Sequence, residues 1–222
     1  ILSTGNRTFR LISGITSVGY DGFSIFDTVS NNTRFVIDNG GNVGIGTTSP
    51  DILLTLNEST NNTSLGFYND GTDTANRNWI IGSNDQVFGD FIIKTSTAKG
   101  GNPISAGVAR LYIDPAGNVG IGTDSPVSLL HIKGADPIFT IQDTSTGTAQ
   151  ASSTLRLGES GSGGVLDVYW DIKQASDAGN THLEINHSTS GNALTILDNK
   201  NVGIGTTSPQ AKLHVEGGIG IF

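Results

Sequence analysis

The sequence predicts an all-β protein, and two features of its composition support this. Only 14% of its 222 residues are charged, whereas 31 are glycine and many others are Asn, Thr or Ser; an average globular protein has about a quarter of its residues charged. β-Branched residues flanked by Gly, Asn and Asp recur along the whole chain, which is typical of short strands joined by turns. We therefore expect tandem β-rich modules of short antiparallel strands and hairpins, with almost no helix.

Charge and residue content exclude several classes of function. The net charge of −8 and the lack of a Lys/Arg cluster argue against nucleic-acid binding, which depends on neutralising phosphates. Without cysteine, disulfides, thiolate metal sites and cysteine nucleophiles are excluded. No apolar run reaches the roughly 20 residues that a membrane-spanning helix needs. Because methionine is absent, even at position 1, we expect the chain to be part of a longer protein.

One phrase, ending in Asn-Val-Gly-Ile-Gly-Thr, occurs three times. The copies run from Arg34 to Pro50, from Arg110 to Pro126 and from Leu194 to Pro209. Self-similarity at such intervals indicates a repeat architecture.

The repeat divides the chain into modules. Short apolar segments that begin at Leu54, Leu130 and Leu213 follow the three prolines, and we expect each to be the first strand of the next module. The predicted modules are 1–50, which lacks its front, then 51–126 and 127–209, and finally 210–222, the first strand of a following module.

Three aromatic residues occupy equivalent places in this alignment. The segment before Trp79 resembles the one before Phe9, and Trp170 precedes a strand in the third module as Trp79 does in the second. The sequence therefore predicts Phe9, Trp79 and Trp170 as module core anchors.

Each copy of the phrase predicts a hairpin. A short strand ends at Asp38, Asp114 or Asp198, a Gly- or Asn-rich turn follows, and Asn-Val begins the return strand. These carboxylates are expected to accept hydrogen bonds from the amides of their own turns.

Glycine alternates with Val and Ile in the return strand, so one face should be apolar and the other bare. Because glycine inside a strand costs stability, its recurrence indicates either a bulge within the chain or the close approach of another chain. We favour the approach of another chain. The glycines concerned are Gly44, Gly46, Gly120, Gly122, Gly203 and Gly205.

Modules of about 80 residues are marginally stable alone. Each owns few large apolar side chains. Each module also leaves the edges of its strands unpaired. Association along an axis would let modules share buried apolar surface and would cover these edges. A homo-oligomeric rod is therefore expected.

The phrase Gly-Asn-Val-Gly-Ile-Gly-Thr-Thr-Ser-Pro, followed by Lys-Leu-His-Val, resembles repeats in bacteriophage tail fibre and tail spike proteins, which often precede a C-terminal self-cleaving chaperone domain. The resemblance implies an elongated homotrimeric shaft in a virion tail fibre, or an extracellular fibre of an injection machine. It implies as partners further copies of the chain, other tail or baseplate proteins, and a host-cell receptor such as a glycan or outer-membrane component. The receptor would be bound outside this segment or on loops such as 95–109.

Sharper chemical hypotheses find little support in the sequence. The Gly44-Ile-Gly46 pattern lacks the third glycine and the helix of a dinucleotide-binding loop. His131 and His214 are equivalent and could bind a metal around a threefold axis, but Thr55 takes their place in the first copy. His182 and His187 have no partners in a triad arrangement.

Two alternatives to a structural shaft remain open. A fibre-borne polysaccharide depolymerase would need paired carboxylates, whereas the acidic residues Asp70, Asp73, Asp85 and Asp90 are expected to be turn residues. A non-viral secreted adhesin or filament subunit could use the same modules. The sequence favours a structural protein of host attachment that is not an enzyme and has no cofactor or metal.

Overall fold

The computed structural model describes residues 2–4, 7–15, 20–57, 63–69, 71–144, 149–160, 166–177 and 180–217. It confirms the all-β prediction, since about 51% of the chain is strand and about 2% is helix. The chain divides into two compact units between Pro137 and Ile138. The first unit contains two six-stranded sheets and the second contains one.

All three sheets are meanders in which each strand pairs with its neighbours in sequence. The first sheet consists of β1 Leu2–Thr4, β2 Arg7–Ile15, β3 Tyr20–Asp27, β4 Asn32–Ile37, β5 Val43–Ile45 and β6 Leu54–Leu56. The second consists of β7 Thr63–Phe67, β8 Trp79–Ser83, β9 Phe91–Ser96, β10 Gly107–Ile113, β11 Val119–Ile121 and β12 Leu130–Ile132. The third consists of β13 Ala149–Ser160, β14 Leu166–Asp177, β15 Asn180–His187, β16 Gly191–Leu197, β17 Val202–Ile204 and β18 Leu213–Val215.

The last pair of each sheet is parallel, whereas the other pairs are antiparallel. After Pro50 the chain returns along the free edge of β5, where Val43 N donates to Leu53 O and Asn57 N donates to Ile45 O, both at 2.9 Å. The side chain of Asn42 donates to Pro50 O at 3.5 Å. A short loop that is hydrogen-bonded to Asn42, just before β5, is therefore long enough to place a parallel strand beside β5.

This pairing corrects one sequence-based expectation. The strands that begin at Leu54, Leu130 and Leu213 close the preceding sheet, so the prediction that they open the next module is wrong. The physical reason is that the return strand has unpaired backbone N–H and C=O groups along one edge. The segment just after the proline forms hydrogen bonds with these groups. Sheet boundaries consequently fall between Leu56 and Thr63 and between Ile132 and Ala149, not at the prolines.

One short helix, α1 Pro103–Ala106, lies in the loop before β10. Asn102 caps it by accepting a hydrogen bond from Ile104 N at 2.9 Å, and Pro103 opens it and is buried. Both residue types favour a helix start. No other helix occurs among the described residues, and four residues are far too few to cross a bilayer.

Buried apolar side chains lie on one face of each sheet. In the second sheet Ile92, Ala109 and Tyr112 form a cluster. The buried apolar residues of the described part of the chain are Val36, Ile80, Ile92, Ala109, Tyr112 and Ala175. All of them lie on the face that also carries the first glycine of each Val-Gly-Ile strand; strand alternation places most of them there, and the bulge between Ala109 and Leu111 places Ala109 there.

Candidate functional site

The hairpin turn of the repeat is held by an aspartate in the first two copies. Asp38 Oδ1 accepts from Asn42 N at 2.8 Å, and its Oδ2 accepts from Asn42 Nδ2 at 3.1 Å. Asp114 makes the same two bonds with Asn118, both at 2.9 Å, and also accepts from Ala116 N. Asn118 lowers the pKa of Asp114; the hydrogen bond from its side chain has the larger effect and the hydrogen bond from its backbone amide the next largest. The expected turn role is observed for both residues.

The third copy differs, and the sequence alignment is wrong there. Leu197 N donates to Asn201 O as Asp38 N donates to Asn42 O, so Leu197, not Asp198, is the counterpart of Asp38. The turn bond to Asn201 N is accepted by Asn199 Oδ1 at 2.9 Å. The alignment matched the two Asp residues by assuming a shorter turn, but the turn has the same length in all copies.

The first glycine of each Val-Gly-Ile strand is enclosed by its own chain. A Cβ atom on Gly44 would lie 2.7 Å from both Thr47 O and Val36 Cγ1. On Gly120 it would lie 2.4 Å from Thr123 O, and on Gly203 it would lie 2.4 Å from Thr206 O. The chain folds back over these positions, so no side chain fits.

The second glycine of each pair ends the strand with a positive φ. Gly46, Gly122 and Gly205 have φ values of 76°, 74° and 75°, which disfavour residues with a Cβ. A Cβ atom on Gly122 would also lie 2.4 Å from Lys133 O. The inference that another chain approaches these glycines is therefore replaced by contacts within the chain.

The opposite face of each sheet carries a continuous row of apolar side chains that the single chain leaves partly exposed. In the second sheet, cross-strand partners place one apolar residue from every strand in this row. We call it the central row. Its members are Leu11, Ile25, Phe35, Ile45 and Leu56 in the first sheet; Leu65, Ile81, Ile93, Leu111, Ile121 and Ile132 in the second; and Leu155, Ile172, Ile185, Leu194, Ile204 and Val215 in the third.

A second row, parallel to the central row, extends the same face. Its last four members are apolar in every sheet, as in Phe91, Ile113, Val119 and Leu130 of the second sheet. The counterparts are Phe23, Ile37, Val43 and Leu54 in the first sheet and Leu183, Ile196, Val202 and Leu213 in the third. The two rows contain no charged residue, so together they form an uncharged, largely apolar strip across each sheet.

The predicted core anchors lie on this apolar face. Phe9, Trp79 and Trp170 do occupy equivalent positions, because the residue before each accepts a hydrogen bond from the equivalent turn amide. However, Trp79 is 41% exposed and Trp170 is 44% exposed. The single chain leaves both tryptophans partly exposed, because strand alternation directs them away from the buried face. Trp170 packs against His187 at a centroid distance of 4.9 Å.

The two equivalent histidines lie on the last strands of the second and third sheets. His131 and His214 lie beside Gly120 and Gly203. His131 Nδ1 is buried without a hydrogen-bond partner, whereas His214 Nδ1 accepts from Gln210 N at 3.4 Å. No group of three potential metal ligands occurs among the described residues.

The acidic residues considered for a depolymerase have structural contacts. Asp90 accepts from the amides of Asp85, Gln86 and Val87. Asp85 forms a buried ion pair with Lys94 at 2.9 Å, and Asp73 accepts from Ala75 N. Asp70 lies outside the described residues. These contacts agree with the expected turn role.

Sequence reasoning missed the apolar rows. The available signal was three consecutive apolar residues within single strands, such as Phe35-Val36-Ile37 and Phe91-Ile92-Ile93. Such runs are typical of strands that are covered on both faces.

Comparison with models of known protein families gave no match. A comparison with curated proteins likewise found no similar chain.

Proposed function

We propose that this chain is a structural shaft segment of a phage-type tail fibre, formed when three copies associate through the apolar faces of their sheets. The observation that carries the proposal is the central row, which recurs at the same position in all three sheets. The order of three comes from the resemblance of the repeated phrase to tail fibre and tail spike repeats.

The size of the apolar face supports association. Six strands spaced about 4.8 Å apart make the central row about 24 Å long. At its return-strand position, Ile45 is 46% exposed, Ile121 42% and Ile204 44%. Burying an apolar side chain fully is worth about 1.5–3 kcal/mol, so removing the remaining exposure of many such residues gives a substantial driving force.

The chemistry of the face favours a second copy as the partner. An uncharged apolar surface is complementary to another of its kind, and closed cyclic assemblies of identical chains are the usual outcome of such surfaces. The Arg156–Asp171 ion pair, in which Nε and Oδ1 are 2.8 Å apart, lies on the other face of the third sheet. Association through the apolar face therefore buries no charge of this pair.

The remaining roles follow from the same proposal. The assembled shaft would connect other tail or baseplate proteins to a region that binds the host-cell receptor. It would reside in the virion or in an extracellular fibre, and it would have no catalytic activity or cofactor.

A triple substitution tests the association. Ile45→Lys, Ile121→Lys and Ile204→Lys together place three ammonium groups on the central rows, where desolvating an unpaired charge costs several kcal/mol. Sedimentation velocity should show the triple variant as a monomer with retained β-type circular dichroism. The single variant Ile121→Lys should show a weaker assembly, which provides a second readout if the triple variant does not fold.

The matched control is Ser49→Lys, Ser125→Lys and Ser208→Lys. These positions are exposed, recur in the same three copies and acquire the same charge. The control should assemble like the parent chain. Dissociation of both triple variants, or of neither, would contradict association through the apolar face.

A further inference from the structure

The third sheet contains a cavity of about 410 Å³ on the face opposite its apolar rows. This volume lies within the range of about 300–1,000 Å³ that is usual for small-molecule sites. The lining combines a carboxylate, an imidazole, hydroxyl groups and a carboxamide. The lining residues are His182, Glu184, Leu197, Thr207, Ser208, Pro209 and Gln210.

The second sheet shows what occupies the equivalent place there. Tyr112 pairs with Gly120 as Thr195 pairs with Gly203, so the two residues are counterparts. Tyr112 is only 3% exposed. Burial raises the pKa of its phenol, and the carboxylates of Asp90, Asp114 and Asp124 raise it further.

These three aspartates are the counterparts of residues that line the cavity. In the registers of the two sheets, Asp90 corresponds to His182, Asp114 to Leu197 and Asp124 to Thr207. The phenol of Tyr112 therefore lies where the third sheet has its cavity. Thr195 has no ring to fill that space.

The floor of the cavity is an ordered polar group. His182 Nε2 lies 3.0 Å from Glu184 Oε1, and Asn186 Nδ2 donates to Glu184 Oε2 at 3.0 Å. His182 and Glu184 are each only 8% exposed. Burial acts to raise the pKa of Glu184, but hydrogen bonds from Asn186, Asn192 and His182 outweigh it and hold the pKa below its usual value. Glu184 is thus a fixed anionic acceptor at neutral pH.

We propose that this cavity binds a six-membered ring that carries hydroxyl groups, with a ring hydroxyl donating to Glu184. The tyrosine ring in the second sheet demonstrates the shape, and the hydroxyl and amide groups of Thr207, Ser208 and Gln210 provide further hydrogen-bonding partners at the rim. Two sources share this chemistry, a pyranose unit of a glycan and a phenol such as a tyrosine side chain.

The site is compatible with the proposed shaft but does not depend on it. Glu184 lies on the opposite face of β15 from Leu183 and Ile185, which belong to the apolar rows. Copies that associate through the apolar rows leave this face uncovered by that contact. Binding can therefore be measured whether or not the chain forms trimers.

Titration of the isotope-labelled chain with two probe sets tests the proposal. One set contains methyl pyranosides, including an N-acetylated one, and the other contains p-cresol, the side chain of tyrosine. We expect chemical-shift changes at the His182 imidazole and the Gln210 side-chain amide with at least one set. The responding set identifies the source of the ring.

Variants separate this site from adventitious binding. Thr195→Tyr should fill the cavity and weaken binding at least about tenfold, which corresponds to ~1.4 kcal/mol. Gln210→Ala, at the exposed rim, should weaken binding about threefold or more, as expected for one lost hydrogen bond. Val127→Ala, at the corresponding position of the second sheet, should leave binding unchanged.

Two results would overturn the proposal. One is the absence of shift changes at His182 and Gln210 with every probe. The other is binding that Gln210→Ala and a folded Thr195→Tyr variant leave at the parental affinity. If Thr195→Tyr does not fold, the comparison of Gln210→Ala with Val127→Ala decides.

Discussion

The second and third sheets have the same apolar rows but different opposite faces. In the second sheet Ile92 and Tyr112 are buried on the opposite face, whereas the third sheet has Glu184 and Thr195 at the same positions. The feature that stays constant is the uncovered one. All three sheets thus keep the apolar rows, while the face turned away from these rows carries a core in the second sheet and a polar cavity in the third.

The two sheets also differ in how much apolar surface they bury alone. The second buries Ile80, Ile92 and Tyr112, whereas the buried apolar residue of the described part of the third is Ala175. The third sheet instead has two strands of 12 residues, β13 and β14. Since backbone pairing alone gives a modest net gain, the third sheet should depend more strongly on association.

The largest effect is expected where the two sheets are alike, at the enclosed glycines. Gly120→Val and Gly203→Val both force a Cβ into a carbonyl oxygen 2.4 Å away, which should cost about 3 kcal/mol or more of unfolding free energy. Chemical denaturation of each variant measures the loss. Gly134→Val is the control, because its Cβ would meet nothing closer than 3.9 Å. Equal stability of Gly134→Val and Gly120→Val would contradict the packing described.

An effect of intermediate size is expected in hydrogen exchange, which should respond differently in the second and third sheets. When Ile45, Ile121 and Ile204 are replaced by lysine, amide hydrogen exchange should accelerate in both sheets. The acceleration should be at least about tenfold greater in β14 and β15 than in β9 and β10, because local stability follows local burial. Mass spectrometry of peptide fragments provides the measurement. Equal acceleration in the two sheets would show that the core of the second sheet gives it no independent stability.

The smallest effect concerns the hairpin turns and their response to pH. Asn118 lowers the pKa of Asp114, so this turn is stabilised above the unfolded carboxyl pKa of about 3.9 and loses that stabilisation as pH falls through the lower folded value. The Asn118 amide resonance should titrate with a midpoint below about 3.9. The Asn201 amide, which is held by Asn199, should show no such step. Matching titrations at the two amides would refute the assignment of Leu197 as the counterpart of Asp114.

Composition and repetition predicted the strands and the hairpin of the phrase. Strand ends at Gly and Asn depend on local backbone preferences, and these are readable in a single sequence. The strand after each proline was predicted, but its parallel pairing with the preceding return strand was missed, because a single sequence does not show which strand edge it joins. The alignment of the third copy failed because it matched Asp198 with the other two Asp residues. The hydrogen bonds of the turn instead require a turn of equal length, which makes Leu197 the counterpart.

The glycines and tryptophans were identified correctly as repeat positions, but the glycines are enclosed by their own chain and the tryptophans stay partly exposed in it. A glycine pattern indicates that a Cβ atom does not fit, but it does not indicate which chain occupies the space. At Gly120 the space is occupied by Thr123 O of the same chain. Likewise, large aromatic residues indicate burial without indicating what buries them. The cavity beside Glu184 reflects several differences between copies, including Thr195 for Tyr112, and these become visible only when the two sheets are compared by register.

The solution mass of the recombinant chain tests the central claim most directly. Light scattering coupled to size-exclusion chromatography should give three times the mass of a single chain, with the mass falling to that of one chain when Ile45, Ile121 and Ile204 are replaced by lysine. A stable, fully β-structured monomer of the parent chain would contradict association through the apolar faces.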